Sequence, residues 1–301
     1  MKKEMIFLII AGILYGTVIS GGQILSNSGL SSYEISFSTM LIEGIVFFFL
    51  MILMKQKISP RDVPIYIAMG FVNAVSQIVW TGAVVLGISV AMVTLLLYTQ
   101  PIWTLLLSWV FFKEKITKIN VLVLCMVFVG ILFLVHPWNT KGTFHLLGLI
   151  FAFLSGPLFS VYLLLSKKVA MRKTHYSSSI FGHVFFTLIW LLLILPFYQP
   201  FIHNSQLSQF NHISIMSHLG IIIAVGAVTR VFPIMFLFKS LLKIKASTVG
   251  VVLLLEPVSG TILAFFLFRQ AITIPIVLGG LLIISANYLV IKKESLVKNN
   301  Y

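Results

Sequence analysis

Charge is what this sequence has least of. Asp, Glu, Lys and Arg together make 9% of its 301 residues, and only seven residues are acidic. A soluble domain carries about 25% charged residues, so this chain has too little polar surface for water. Its hydrophobic share of 59% and mean hydropathy of +1.08 say the same, and they exclude disordered and collagen-like classes. The single cysteine, Cys125, lies inside an apolar run, which leaves no disulfide framework and no cysteine metal site. Asp62 is the lone aspartate, no HExxH motif occurs, and no Ser–His or Cys–His arrangement suggests a nucleophile. His203, His212 and His218 share a loop without metal-ligand spacing. No enzyme activity, cofactor or metal is therefore expected, and the class that remains is an all-α integral membrane protein.

A net charge of +14 could point to nucleic acid, but that reading needs a basic face on one folded domain. Here Lys and Arg sit in short clusters between long apolar runs, the pattern of a polytopic protein lying in a lipid bilayer. No nucleic-acid partner is expected. Crossing a bilayer takes about 20 helical residues, fewer in a packed bundle. Ten runs qualify: Met5–Gly22, Tyr33–Met54, Val63–Leu86, Val90–Phe112, Asn120–Val135, Leu146–Ser166, Ser178–Leu195, Ser217–Phe238, Ala246–Phe268 and Pro275–Ile291. Met5–Gly22 is long for a signal sequence and no small-x-small cleavage site follows it, so it reads as a retained helix. With alternating crossings, Arg230 lies within a span, Lys141 and Arg269 fall in loops on one side, and every other Lys and Arg falls on the other. The positive-inside rule places both termini in the cytoplasm.

A gapless offset aligns Val90–Gly130 with Ala246–Ala286, pairing Pro101 with Pro257, Gln100 with Glu256, Phe112 with Phe268 and Ile116-Thr117 with Ile272-Thr273. The first spans of the halves also match, Gly16 falling on Gly156. The chain thus divides into two five-helix repeats, 1–141 and 142–301. Five crossings per half invert the second repeat relative to the first. Inverted-topology repeats are the architecture of many secondary transporters, with the substrate site near the midplane between them.

The stretch from Ser89 to Leu134, beginning SVAMVTLLLYTQPIWTLLL, resembles the signature half of the EamA family in the drug/metabolite transporter superfamily. The stretch from Ser247 carries the same pattern, with Leu255-Glu256-Pro257 and Gly279-Gly280 as its most specific elements, and Tyr15-Gly16 resembles the family's aromatic-Gly pair. One departure stands out: the acidic residue after the long helix is Glu114 in the first half but Gln270 in the second. The resemblance implies ten helices, a bacterial cytoplasmic membrane and secondary transport of a small organic molecule, without fixing which.

Three acidic residues, Glu34, Glu43 and Glu256, and one basic residue, Arg230, lie within spans. A charge at the bilayer centre costs about 2.5–3.5 kcal/mol on insertion scales, so each needs an internal partner or water. At about 1.5 Å per residue, Glu43, Arg230 and Glu256 all fall near mid-depth, which points to one shared cavity. Glu34, nearer its span's end, is expected at the entrance. Glu256 precedes Pro257, whose ring removes a helical hydrogen bond. Arg230 admits two roles, gripping a substrate carboxylate or phosphate, or neutralising a glutamate. Asn73, Gln77 and Trp80 occupy one helical face and are expected to line the cavity with Tyr98, Gln100, Tyr15 and Trp103. Structural bonding between helices is the other reading of that face.

Two carboxylates beside aromatic rings suit a cation. The leading expectation is therefore a secondary transporter of a small amine, amino-acid-like or zwitterionic substrate, with Glu256 and Glu43 exchanging protons for it. A carrier of an anionic or phosphate-linked metabolite, resting on Arg230, and a non-transporting receptor or scaffold stay open beside it.

Overall fold

In lipid every backbone N–H and C=O has to be paired inside the chain, and long apolar runs meet that demand as helices. The computed structural model describes residues 3–86, 88, 90–135, 146–201, 209–269 and 272–299, and no strand occurs among the described residues. Lys141, His203, Gln270 and the expected boundary between the repeats lie outside the described residues.

In the first half, α1 (Lys3–Tyr15) and α2 (Thr17–Asn27) form one span, α3 (Ser32–Leu53) and α4 (Val63–Val85) the next two, α5 (Val90–Leu97) with α6 (Gln100–Phe112) the fourth, and α7 (Lys118–Val135) the fifth. The second half repeats this with α8 (Leu146–Met171), α9 (Tyr176–Phe201) and a short α10 (His212–Ser217). Then come α11 (Leu219–Gly226) running through a π-helical turn (Ala227–Val231) into α12 (Phe232–Leu241), α13 (Ala246–Val252) with α14 (Leu255–Phe268), and α15 (Ile274–Asn299). Among the described residues ten helices are long and apolar enough to cross a membrane, matching the ten expected runs. The first extends to Asn27 instead of Gly22 because α2 resumes directly after a break at Gly16.

The two halves break their fourth spans at equivalent places. Pro101 and Pro257 stand in the first turns of α6 and α14, so neither can donate to the helix before it. The chain turns there through short-range bonds, Thr99 N–H to the Leu96 carbonyl (3.2 Å) and Glu256 N–H to the Leu253 carbonyl (2.9 Å). Both half-helices then end on a left-handed residue, Lys113 (φ 54°) and Arg269 (φ 55°). A non-glycine left-handed cap is uncommon, and its recurrence at aligned positions is a structural mark of the repeat.

The basic segments meet at one end of the bundle. Arg172 pairs with Asp62 (2.6 Å), Lys243 with Glu4, and Lys293 donates to Thr117 and Asn120. The buried Lys167 ammonium donates to the carbonyls of Leu241 (2.5 Å) and Ile244 (2.7 Å), where a cation complements the C-terminus of α12. Glu114 lies at this end too. Its carboxylate accepts from Ala246 N–H (3.1 Å) and from Ser247 Oγ (2.5 Å), capping the start of α13. At the opposite end Glu34 is buried in a capping box with Ser31 and accepts the Asn211 N–H at 2.8 Å. It is a fully engaged cap and not the entrance residue expected of it; its oxygens are spent on backbone donors. Between the ends, α7 packs along α15 through the Gly130–Gly279 crossing, where a Cβ on Gly130 would lie 2.9 Å from the Gly279 carbonyl oxygen.

The Glu114 cap gives a first prediction. Glu114→Ala leaves the first N–H groups of α13 without their acceptor, and loss of a cap costs about 0.5–2 kcal/mol. Its thermal midpoint in detergent is expected to fall by a few degrees, while Glu114→Asp, with a shorter reach, falls less.

Candidate functional site

A helix that must pass a proline and keep a charged side chain inside has to distort somewhere. Pro233 follows Arg230 by three residues, and the turn Ala227–Val231 widens to π geometry just before it. Such π-turns are uncommon and often mark functional positions. Against this turn pack α1, α2 and α3. Arg230 thus projects where the break of span 1, the middle of α3 and the break of span 9 converge.

Glu43 supplies the first carboxylate. It sits about eleven residues into α3 and is 4% exposed. Glu256 supplies the second, from the first turn of half-helix α14, where the helix dipole favours negative charge. Arg230 acts electrostatically on both of them. Three tyrosines share this field: Tyr15 feels Glu43, Arg230 and Glu256, Tyr98 feels Glu256, and Tyr162 feels Glu43 and Arg230. One charged centre therefore draws on α1, α3, α8, the α5–α6 break, the π-turn and α14.

The decisive geometric point is what these charges do not do. Among the described residues, none of Glu43, Arg230 and Glu256 makes a hydrogen bond from its charged atoms or an ion pair within 4.0 Å. Arg230 and Glu256 are also partly exposed although they lie near the middle of their spans. Partial exposure at that depth requires water-sized space beside them. The three groups act on one another over more than ion-pair distance and are not locked in a closed bracket.

Gly16 lets this centre form. A Cβ there would lie 2.6 Å from the Gly260 nitrogen and 2.8 Å from the Glu256 carbonyl oxygen, so only glycine allows the α1–α2 break to rest on the first turn of α14. Ser259 Oγ donates to the Ile13 carbonyl (2.9 Å) and fastens the contact. The aromatic-Gly pair thus has a physical division of labour: Gly16 makes the approach and Tyr15 enters the charged field.

The other expected residues have these partners. Gln100 is buried, donates to Thr104 Oγ1 (2.7 Å) and accepts from Ser160 Oγ at its carbonyl (2.8 Å), in the packing of α6 on α8. Trp103 donates to Thr99 Oγ1 (3.2 Å) and meets Phe153 edge-on at 5.6 Å. Trp80 packs against Ala83, Ile88, Val93 and Ala152, and its buried indole N–H has no hydrogen-bond partner among the described residues. Asn73 reaches Thr187 Oγ1 of α9 at 3.4 Å, an interhelical bond, with Gln77 partly exposed one turn on.

Tyr162 did not stand out in the sequence. Its hydroxyl lies 3.0 Å from His183 Nε2, and His183 Nδ1 lies 3.0 Å from the Ser179 carbonyl. That carbonyl can only accept, so Nδ1 carries the proton and Tyr162 donates to Nε2. His183 stacks flat on Phe238 at 5.5 Å. The signal available was the buried stripe Ser179, His183 and Thr187 at four-residue spacing, which needs a polar neighbour on the facing helix.

A model of the EamA-like transporter family matches residues 2–136 and again residues 146–292. The chain belongs to the EamA-like transporter family. It is similar to an uncharacterized transporter of Clostridium kluyveri, 26% identical over 298 residues, covering 94% of this chain and 91% of that protein. An uncharacterized transporter of Archaeoglobus fulgidus is 23% identical over 248 residues, covering 82% and 84%. A crystal structure 16% identical in sequence superposes with a TM-score of 0.74 over 96% of this chain and 98% of its own, a likeness of fold. Family membership makes the protein a multi-pass membrane transporter with two repeats of five helices.

Proposed function

We propose that the protein is a secondary transporter of a small amino-acid-like zwitterion or organic amine, held at the centre formed by Glu43, Arg230 and Glu256. The observation that carries this reading is a triad of two carboxylates and one guanidinium within electrostatic reach of one another, with no ion pair within 4.0 Å among them. With both carboxylates ionised the triad is net negative. An ammonium is attracted by the glutamates and by the faces of Tyr15 and Tyr98, and a carboxylate on the same molecule meets Arg230. A phosphate, by contrast, would face two like charges for one partner, which argues against the phosphate-linked alternative.

Glutamate also supports coupling. A carboxylate can hold a proton or the substrate's ammonium but gains little from both at once, so the two compete for Glu256 and Glu43. Competition for one site, reached alternately from each side as two inverted halves rock, is proton-coupled exchange. The placing of the basic loops gives the orientation of this reading, with both termini cytoplasmic.

Ligand-dependent stabilisation tests the substrate class, because a compound that binds only the folded form raises the midpoint by mass action. Purified protein is expected to be stabilised by zwitterionic amino acids or organic amines and not by sugar phosphates. Stabilisation by phosphorylated compounds alone would overturn the reading in favour of an anion carrier.

A further inference from the structure

A second site stands apart from the central charges. At the basic end a cavity of about 200 Å³ opens between α6, α7, α13 and α15. This is well beyond the roughly 10–15 Å³ of water-centre space that one water needs. Its rim carries three ammonium groups, Lys115, Lys245 and Lys293, and its walls are apolar, with Leu124, Val251 and Val290 among them. Lys115 and Lys245 are exposed. Lys293 is held at the rim by its bonds to Thr117 (2.5 Å) and Asn120. The one carboxylate in the lining, Glu114, is turned onto the start of α13, accepting from Ala246 N–H and Ser247 Oγ. The exposed Lys115 and Lys245 outweigh the one engaged carboxylate, Glu114, and leave the rim net positive.

The geometry points to a binding site for a phosphate-bearing headgroup in this cavity. A charged rim above apolar walls, at the end of the spans where headgroups lie, is built for an amphiphile with its phosphate at the lysines and its hydrocarbon below. Basic pockets between membrane helices are a recognised setting for anionic headgroups. Lysine binds phosphate as a compact point charge and needs no bidentate geometry. The site shares no residue with the Glu43, Arg230 and Glu256 centre, so it stands whether or not that centre carries an amine.

The experiment uses the full-length protein in neutral detergent, with phosphatidylglycerol, phosphatidylcholine and inorganic phosphate as separate probes in native mass spectrometry and thermal shift. Phosphatidylglycerol is expected to be retained and stabilising, and phosphatidylcholine much less so. Near a surface each lysine contributes roughly five-fold to anionic binding, so a Lys115→Gln/Lys245→Gln double variant should hold phosphatidylglycerol about 30-fold more weakly. A Lys55→Gln/Lys57→Gln variant, which removes two lysines outside the cavity, serves as the control and should bind nearly as the parent does. Stabilisation by inorganic phosphate but not by the lipid, still lost in the Lys115/Lys245 variant, would assign the site to a soluble phosphate compound. Equal retention of both lipids, or equal losses in the two double variants, would overturn the proposal.

Discussion

Glu256→Gln is expected to slow amine or zwitterion exchange by at least about 30-fold in proteoliposomes, and to leave the thermal midpoint nearly unchanged. The substitution keeps shape and removes charge. Losing one partner of a desolvated charge contact costs about 2–5 kcal/mol, which is roughly 30- to 4,000-fold in binding. Stability answers differently because Glu256 is in no ion pair within 4.0 Å among the described residues. A buried bracket broken by removing one member would cost about 3–5 kcal/mol of folding free energy. The split between activity and stability therefore separates a substrate site from a structural strut. Arg230→Gln should lose zwitterions more than simple amines, since only the former offer a carboxylate to the guanidinium. Under an imposed pH gradient, Glu256→Gln should also lose the acceleration that the gradient gives the parent. A variant that exchanges as fast as the parent, with the same response to the gradient, would sink both the site and the coupling.

How much of this could be read from the amino-acid order depends on how rare each signal is. Hydropathy locates all ten spans because lipid tolerates no other long backbone, and Pro101 and Pro257 mark the break in the fourth span of each half. Glu43, Arg230 and Glu256 stand out because ionisable residues in spans are few, and all three meet at one centre. Gln100, Trp103 and Trp80 carried weaker signals. Amides and indoles serve interhelical packing as readily as cavities, and sequence spacing gives a helical face without saying which neighbour it meets. Tyr162 was hidden for the opposite reason: it is one of nine tyrosines, and its importance comes from the fold setting its hydroxyl against His183 of α9. The π-turn has no periodic signature at all, and only Pro233 hints at it. Glu34 and Glu114 show that a carboxylate near a span end is first a helix cap, a role that depends on which backbone comes within reach.

Gly16→Ala is expected to be strongly damaging for a single added methyl, lowering both folded yield and exchange. Packed interiors absorb extra atoms by shifting side chains, at about 1–3 kcal/mol when side chains can give way. Here two of the three nearest atoms are backbone, the Gly260 nitrogen at 2.6 Å and the Glu256 carbonyl oxygen at 2.8 Å from the added carbon. Backbone in the first turn of α14 cannot move alone, so the α1–α2 break must lift away from it. That lift carries Tyr15 out of the field it shares with Glu256, and the proposed substrate centre loses its shape along with its packing. Ser259→Ala in the Gly16→Ala background offers a sharp check. It removes the third close neighbour, the Ser259 hydroxyl, but leaves both backbone contacts. Recovery should therefore be slight, and full recovery would mean that the hydroxyl alone, and not the helix start beneath it, demands glycine at this position.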